Sequence, residues 1–192
     1  MDEYAEATGT SVEEARENVS QGRIAHIRGA NVVIYGPSFQ RLSLARRRQA
    51  VYHEYFHAVQ HFLSANRSAR VGVDRPLWLI EGSARFFENA VTPRELDIFR
   101  QSEVKRRESL PLLADLEHLD APRVPGASGD AYTLGSIASD YLVATYGRDR
   151  LQHDLWVAFS ATDWRSAFRQ VFGVTVDSFY ADFEAYRSTL RP

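Results

Sequence analysis

The chain has 192 residues, a formal net charge of −2 and no cysteine, and its 44% hydrophobic and 12% aromatic content can fill a real core. That length suits one domain. The balanced charge excludes a broad nucleic-acid footprint, the missing thiols exclude disulfides and cysteine-held zinc, and no apolar run is long enough to span a membrane.

The N-terminus, Met1-Asp2-Glu3, is acidic where a secretory signal would be basic, so no signal peptide is expected; the chain also suits a domain of a longer, exported precursor. Thr10-Ser11-Val12-Glu13-Glu14 offers a capping box, which predicts a short helix over Val12–Val19. Ala25-His26-Ile27-Arg28 alternates like a strand, Gly29-Ala30-Asn31 turns the chain, and Val32-Val33-Ile34-Tyr35 reads as a second strand ended by Gly36-Pro37. Together they predict a small antiparallel sheet. Its edge either accepts an extended peptide or merely covers the core.

A strong helix is predicted over Leu44–Ser64, its first turns carrying the solvated run Arg46-Arg47-Arg48. Val51, Tyr55, Ala58 and Phe62 form one apolar row, and Tyr52, Phe56, Val59 and Leu63 a second. The remaining strip carries His53, Glu54, His57, Gln60 and His61, which predicts a helix buried on most sides. Within it, His53-Glu54-Tyr55-Phe56-His57 spells H-E-x-x-H. Four residues make slightly more than one turn, so both imidazoles project from one face and can bind one metal ion. Glu54 lies beside them, placed to take a proton from water rather than to ligate.

Residues 65–75 read as loop. Pro76 suits a first helical position, and the helix Leu77–Ala90 follows with Leu77, Ile80, Ala84 and Phe87 as its core stripe. Glu81 and Glu88 lie seven apart on one flank of that stripe. A carboxylate beside an apolar stripe is costly unless paired or ligated, so Glu81 is the candidate third metal ligand. Glu88 is either a solvated flank residue or a partner that holds a ligand imidazole from behind. Thr92-Pro93-Arg94-Glu95 is another capping box, opening a polar helix to about Arg107. A helical turn is expected near Leu113–Leu119. Helices are then predicted over Ala131–Tyr146, closed by Gly147, over Arg150–Ser160 and Trp164–Phe172, and from Val176 to about Leu190. The resulting class is α+β: a small N-terminal sheet with the H-E-x-x-H helix over residues 1–64, then a mostly helical part over 65–192.

With H-E-Y-F-H at 53–57 and W-L-I-E-G-S-A-R-F-F-E at 78–88, the chain resembles the gluzincin metallopeptidases, and most of all the bacterial peptidase-MA-like domains. The likeness covers Val32 to Arg187. It implies a zincin-like fold, Zn²⁺ held by His53, His57 and Glu81, Glu54 as catalytic base, and a peptide or protein substrate. The zinc aminopeptidases of this group anchor the substrate amine with a glutamate on an upstream strand. Gly29-Ala30-Asn31 has none, which points to an endopeptidase. Where some gluzincins place an acid four residues after the third ligand, this chain has Arg85, and Glu88 is the available substitute. Tyr132, in Asp130-Ala131-Tyr132-Thr133-Leu134-Gly135, matches the family's tyrosine and is the candidate oxyanion donor, with a core tyrosine as the alternative. His61 continues the strip by one turn; as a fourth ligand it would close the site. Two other readings stay open: a catalytically silent module of the same fold that binds peptide or protein partners, and a latent enzyme whose cleft is filled by its own flanking segment.

Overall fold

The computed structural model describes residues 11–13, 17, 25–28, 31–34, 36–69, 76–104, 110–117 and 127–190. Two strands, β1 (Ala25–Arg28) and β2 (Asn31–Ile34), pair antiparallel, with Ala25 opposite Ile34 and Arg28 opposite Asn31. Every other element among the described residues is helical: α1 (Gly36–Gln40), α2 (Leu44–Leu63), α3 (Leu77–Asn89), α4 (Pro93–Val104), α5 (Ala127–Tyr146), α6 (Leu155–Ala161), α7 (Trp164–Phe172) and α8 (Val176–Thr189). A π-helical turn, Arg150–Asp154, leads into α6, and 3₁₀ turns lie at Arg67–Ala69 and Leu113–Leu116.

The expected α+β, zincin-like class is therefore wrong, because the described residues are nearly all helical. Alternation located the strands to within a residue, but a hairpin of two four-residue strands is too small to form a layer and cannot bury a face alone. The core lies between helices instead, around Trp78, Leu134, Trp156, Phe168 and Phe179. The capping box at Thr10 lies outside the described residues, although Val12, Glu13 and Glu17 are helical. The tail of the polar helix beyond Val104 and the segment after Glu117 also lie outside them. Among the described residues no helix is long and apolar enough to cross a membrane.

Local chemistry sets the helix ends. The Ser43 side chain accepts from the Arg46 N–H and caps α2, and Thr92 Oγ1 accepts from the Glu95 N–H at 3.2 Å to open α4. Asp163 and Thr175 cap α7 and α8 in the same way. Gly173 closes α7 in the left-handed conformation, at φ 77°, that glycine adopts without strain. Pro76 is the residue before α3, not its first, and its extended backbone hands the chain to Leu77.

α3 is the central element. It packs along α5 on one side and α2 on the other. Its buried residues are Trp78, Leu79, Gly82, Ser83, Ala84 and Phe86, while Leu77, Ile80 and Phe87 are only partly buried. The single core stripe expected from periodicity is thus replaced by burial on most sides, because two helices clasp α3. The converse holds for α2. Its first apolar row faces outward among the described residues, with Tyr55 54% and Phe62 77% exposed and Val51 also accessible. Only Phe56 and Gln60 are fully buried. The expectation that α2 is buried on most sides is corrected accordingly: α2 meets α3 through its polar strip and through Phe56 of the second row, which stacks on Phe87 with centroids 4.8 Å apart.

A buried polar chain ties the far side together. Trp78 Nε1 donates to Tyr180 Oη at 3.0 Å, and Tyr180 donates to Glu117 Oε2 at 2.9 Å. Arg165 clamps the same carboxylate with two bonds of 2.9 and 2.6 Å. Burial and the Glu117 charge together push the Tyr180 hydroxyl pKa far up.

Candidate functional site

α2 delivers His53 and His57 one turn apart, with ring centroids 4.6 Å from each other and nearly perpendicular planes. α3 delivers Glu81 opposite them. His53 Nε2 and His57 Nε2 are 3.1 Å apart, and Glu81 Oε2 lies 3.3 Å from the first and 3.1 Å from the second. Three donor atoms thus form one small triangle. Among the described residues this is the group of histidines and carboxylates able to hold a metal ion. His61 is outside it. Burial lowers its pKa, which suits a neutral packed imidazole.

The same His53 ring reaches Glu88 with its other nitrogen, Nδ1 to Oε2 at 3.0 Å. One imidazole therefore bridges two carboxylates set two turns apart on α3. Glu88 is in turn held through its other oxygen, which accepts from Asn89 Nδ2 at 3.2 Å, and Asn89 Oδ1 accepts from Gln49 Nε2 at 3.0 Å. Glu88 stands behind the imidazole, not on the solvated flank. Burial alone would lower the His53 pKa, but the hydrogen bonds and charges of Glu81 and Glu88 outweigh it and push it up to about 10 in the metal-free chain. Burial likewise works against the Glu81 carboxylate, yet the charges and hydrogen bonds of His57 and His53 hold it well below the usual carboxylate range.

His57 is held differently. Its Nδ1 lies 2.7 Å from Gln60 Oε1, and Gln60 is 1% exposed. Gln60 Nε2 donates to the Ile80 carbonyl at 3.0 Å and to Ser83 Oγ at 2.9 Å. In the sequence Gln60 is visible only as a member of the polar strip, and Ser83 as a letter of the α3 motif. The i, i+3 spacing of His57 and Gln60 signals that they are neighbours, but nothing in the sequence shows that a backbone carbonyl of another helix completes the set.

Tyr132, in the first turns of α5, lies over His53 with centroids 5.8 Å apart and planes 11° from parallel. Its hydroxyl lies close enough to the Glu81 carboxylate for that group to act on its pKa. Burial first, then Glu81, with the charges of Glu54 and Glu88 adding, drive its pKa far above the ordinary phenol value, so it stays protonated and a donor. Glu54 follows His53 on α2, half-buried and close enough for its charge to act on Tyr132. The structure thus brings His53, His57, Glu81, Glu88 and Tyr132 into one site, with Glu54 at its side.

The chain gives no significant match to a protein family, to a characterised protein or to a solved structure.

Proposed function

We propose that the chain is a zinc-dependent peptidase of the endopeptidase kind, with His53, His57 and Glu81 as metal ligands and Glu54 as general base. The observation that carries this reading is the triangle of donor atoms, with sides of 3.1, 3.1 and 3.3 Å. Four ligands at the usual zinc distances of about 2.0–2.1 Å stand roughly 3.3 Å from one another in a tetrahedron. The triangle is therefore close in size to one tetrahedral face. Two lone-pair nitrogens and a carboxylate oxygen so close together would repel one another unless protons or a cation lay between them. Two imidazoles and one carboxylate with no thiolate also match the ligand set of catalytic rather than structural zinc.

A zinc ion held there would supply Lewis acidity, polarising a scissile carbonyl and acidifying water to a pKa of roughly 7. Glu54, next to the ligand His53 on α2, is the base in this reading: it would take the proton of the attacking water and pass it to the leaving amine. The protonated Tyr132 hydroxyl, beside Glu81, is the available donor for the oxyanion that develops on the carbonyl. Glu88 and Gln60 keep the two imidazoles turned toward Glu81. The endopeptidase assignment rests on the Gly29-Ala30-Asn31 stretch, which lacks a carboxylate to anchor a substrate's free amine.

The test is metal analysis of the purified protein together with hydrolysis of quenched peptides by wild type and Glu54→Gln. The proposal expects about one zinc per chain in both proteins. Hydrolysis should fall about 10²- to 10⁴-fold on removing the base. Zinc-loaded wild type without activity on any peptide supports the silent, peptide-binding alternative. Activity that appears only on trimming the ends of the chain supports the latent one. Absence of zinc from a fully folded wild type sinks the metal reading.

A further inference from the structure

Building on the zinc reading above, we infer that Gln60 is a positioning residue: a buried carboxamide that fixes the tautomer of His57 and locks that ligand to the helix carrying Glu81. The deduction begins at a backbone carbonyl. Ile80 O can only accept, so the Gln60 atom 3.0 Å from it is the nitrogen. The Ser83 hydroxyl spends its hydrogen on Leu79 O at 2.6 Å, which leaves its oxygen free to receive the second amide hydrogen at 2.9 Å. Both Gln60 hydrogens are thereby committed to α3, and the amide oxygen is left facing His57 Nδ1 at 2.7 Å.

An oxygen at that distance requires a hydrogen on Nδ1. The His57 Nε2 lone pair is then directed at the triangle with His53 and Glu81. Gln60 is 1% exposed, so water does not compete for any of these bonds. The two α3 groups that hold it, Ile80 O and Ser83 Oγ, flank Glu81 in the sequence. The orientation of a ligand on α2 is thus referenced to the backbone that presents the ligand on α3. The two imidazoles are anchored by unlike chemistry, His53 by the Glu88 carboxylate and His57 by a neutral amide. A neutral anchor orients its ring without adding a third negative charge beside Glu81 and Glu88.

The experiment compares wild type, Gln60→Leu and Gln60→Glu in two measurements. The first is proton NMR of the metal-free protein, which reads the His57 Nδ1–H as a slowly exchanging downfield signal. The second is zinc affinity by competition with a chromophoric chelator, with the visible spectrum of the Co²⁺ form as a check on geometry. Wild type should show the protected proton. Gln60→Leu should lose it and bind zinc about 10- to 100-fold more weakly. Gln60→Glu, whose carboxyl can accept from Nδ1–H and donate its own proton to Ile80 O, should restore the signal and recover most of the affinity. If Gln60→Leu does not fold, Ser83→Ala carries the test, with faster exchange of the same proton and weaker zinc binding expected. A lost proton with unchanged zinc affinity overturns the inference alone, and so does a proton that stays protected in Gln60→Leu. Failure of wild type to bind zinc overturns the metal reading and takes this inference with it, so the two failures are distinguishable.

Discussion

Gly82 on α3 and Gly135 on α5 meet backbone to backbone. A Cβ built on Gly82 would stand 2.7 Å from the Gly135 carbonyl oxygen and closer still to its Cα, and one on Gly135 would press into the Trp78 carbonyl. None of these neighbours is a side chain that can swing away. This crossing is what lets α5 come close enough to lay Tyr132 over His53. Gly82→Ala and Gly135→Ala should each force the helices apart, at a cost of about 1–3 kcal/mol or more. Gly129 on the same α5 has nothing within 4 Å of a built Cβ. Its change to alanine, in the first turn of α5, should instead be neutral or slightly stabilising. Urea unfolding midpoints of the three variants check the contrast, and a neutral Gly135→Ala would refute the close crossing.

The Trp78–Tyr180–Glu117–Arg165 chain yields a second prediction. Glu117 is 3% exposed, and Arg165 clamps it with two bonds. Arg165→Met removes the guanidinium from this buried carboxylate. Breaking one side of a buried pair costs about 3–5 kcal/mol. The Arg165 side chain is 40% exposed, so solvent screening should bring the loss to the lower end of that range. Glu117→Gln with Arg165 intact should cost less, because the amide still bonds Tyr180 and the freed guanidinium can reach water and Asp177. Equal losses in the two variants would show that the charge on Glu117 is not the quantity that matters.

The parts of this protein that were legible in the sequence are those whose chemistry is local. The i, i+4 spacing of His53 and His57 already puts two imidazoles on one face, and the Thr92 capping box marks the start of α4. Glu81 was legible for a different reason, the cost of a carboxylate beside an apolar stripe. What failed was long-range. Periodicity assigned Val51, Tyr55 and Phe62 to the core, although the helix they sit on packs by its polar strip and by Phe56 of the second row. The alternation at 25–35 marks strands correctly but cannot count how many others join them, and the class went wrong there. Gln60 and Gly82 looked unremarkable because their partners, the Ile80 carbonyl and the Gly135 backbone, belong to other helices and carry no signature in side-chain pattern.

His53 sets a pH dependence whose sign follows from its shift. In the metal-free chain its pKa is raised from 6.5 to about 10. A group raised on folding stabilises fully below its unfolded value, so the metal-free protein should be most helped below pH 6.5 and lose that help as pH rises toward 10. Zinc takes a neutral imidazole, so at pH 7–8 its uptake should displace a proton from His53, and apparent affinity should climb by up to about tenfold per pH unit. Glu88→Gln removes one of the two carboxylates that hold the proton, so it should release fewer protons at pH 8. Calorimetric titration of zinc in buffers of different ionisation enthalpy counts them. An identical count for wild type and Glu88→Gln would rule out Glu88 as the group that raises His53.

Tyr132 offers the sharpest separation between holding a metal and using one. Its ring lies over His53, and the nearby Glu81 carboxylate acts on its hydroxyl. Its pKa is raised, so the hydroxyl keeps its proton across any working pH and can only donate when it meets an oxyanion. Tyr132→Phe preserves the ring and removes that donor. Turnover on a peptide should fall about 10²- to 10³-fold, the usual cost of one oxyanion donor. Zinc affinity should change by less than about tenfold, the low end of what an outer hydrogen bond contributes. Steady-state kinetics beside chelator competition on the same preparation reads both. Loss of zinc in step with loss of turnover would reduce Tyr132 to a support for Glu81, and unchanged turnover would remove it from the reaction altogether.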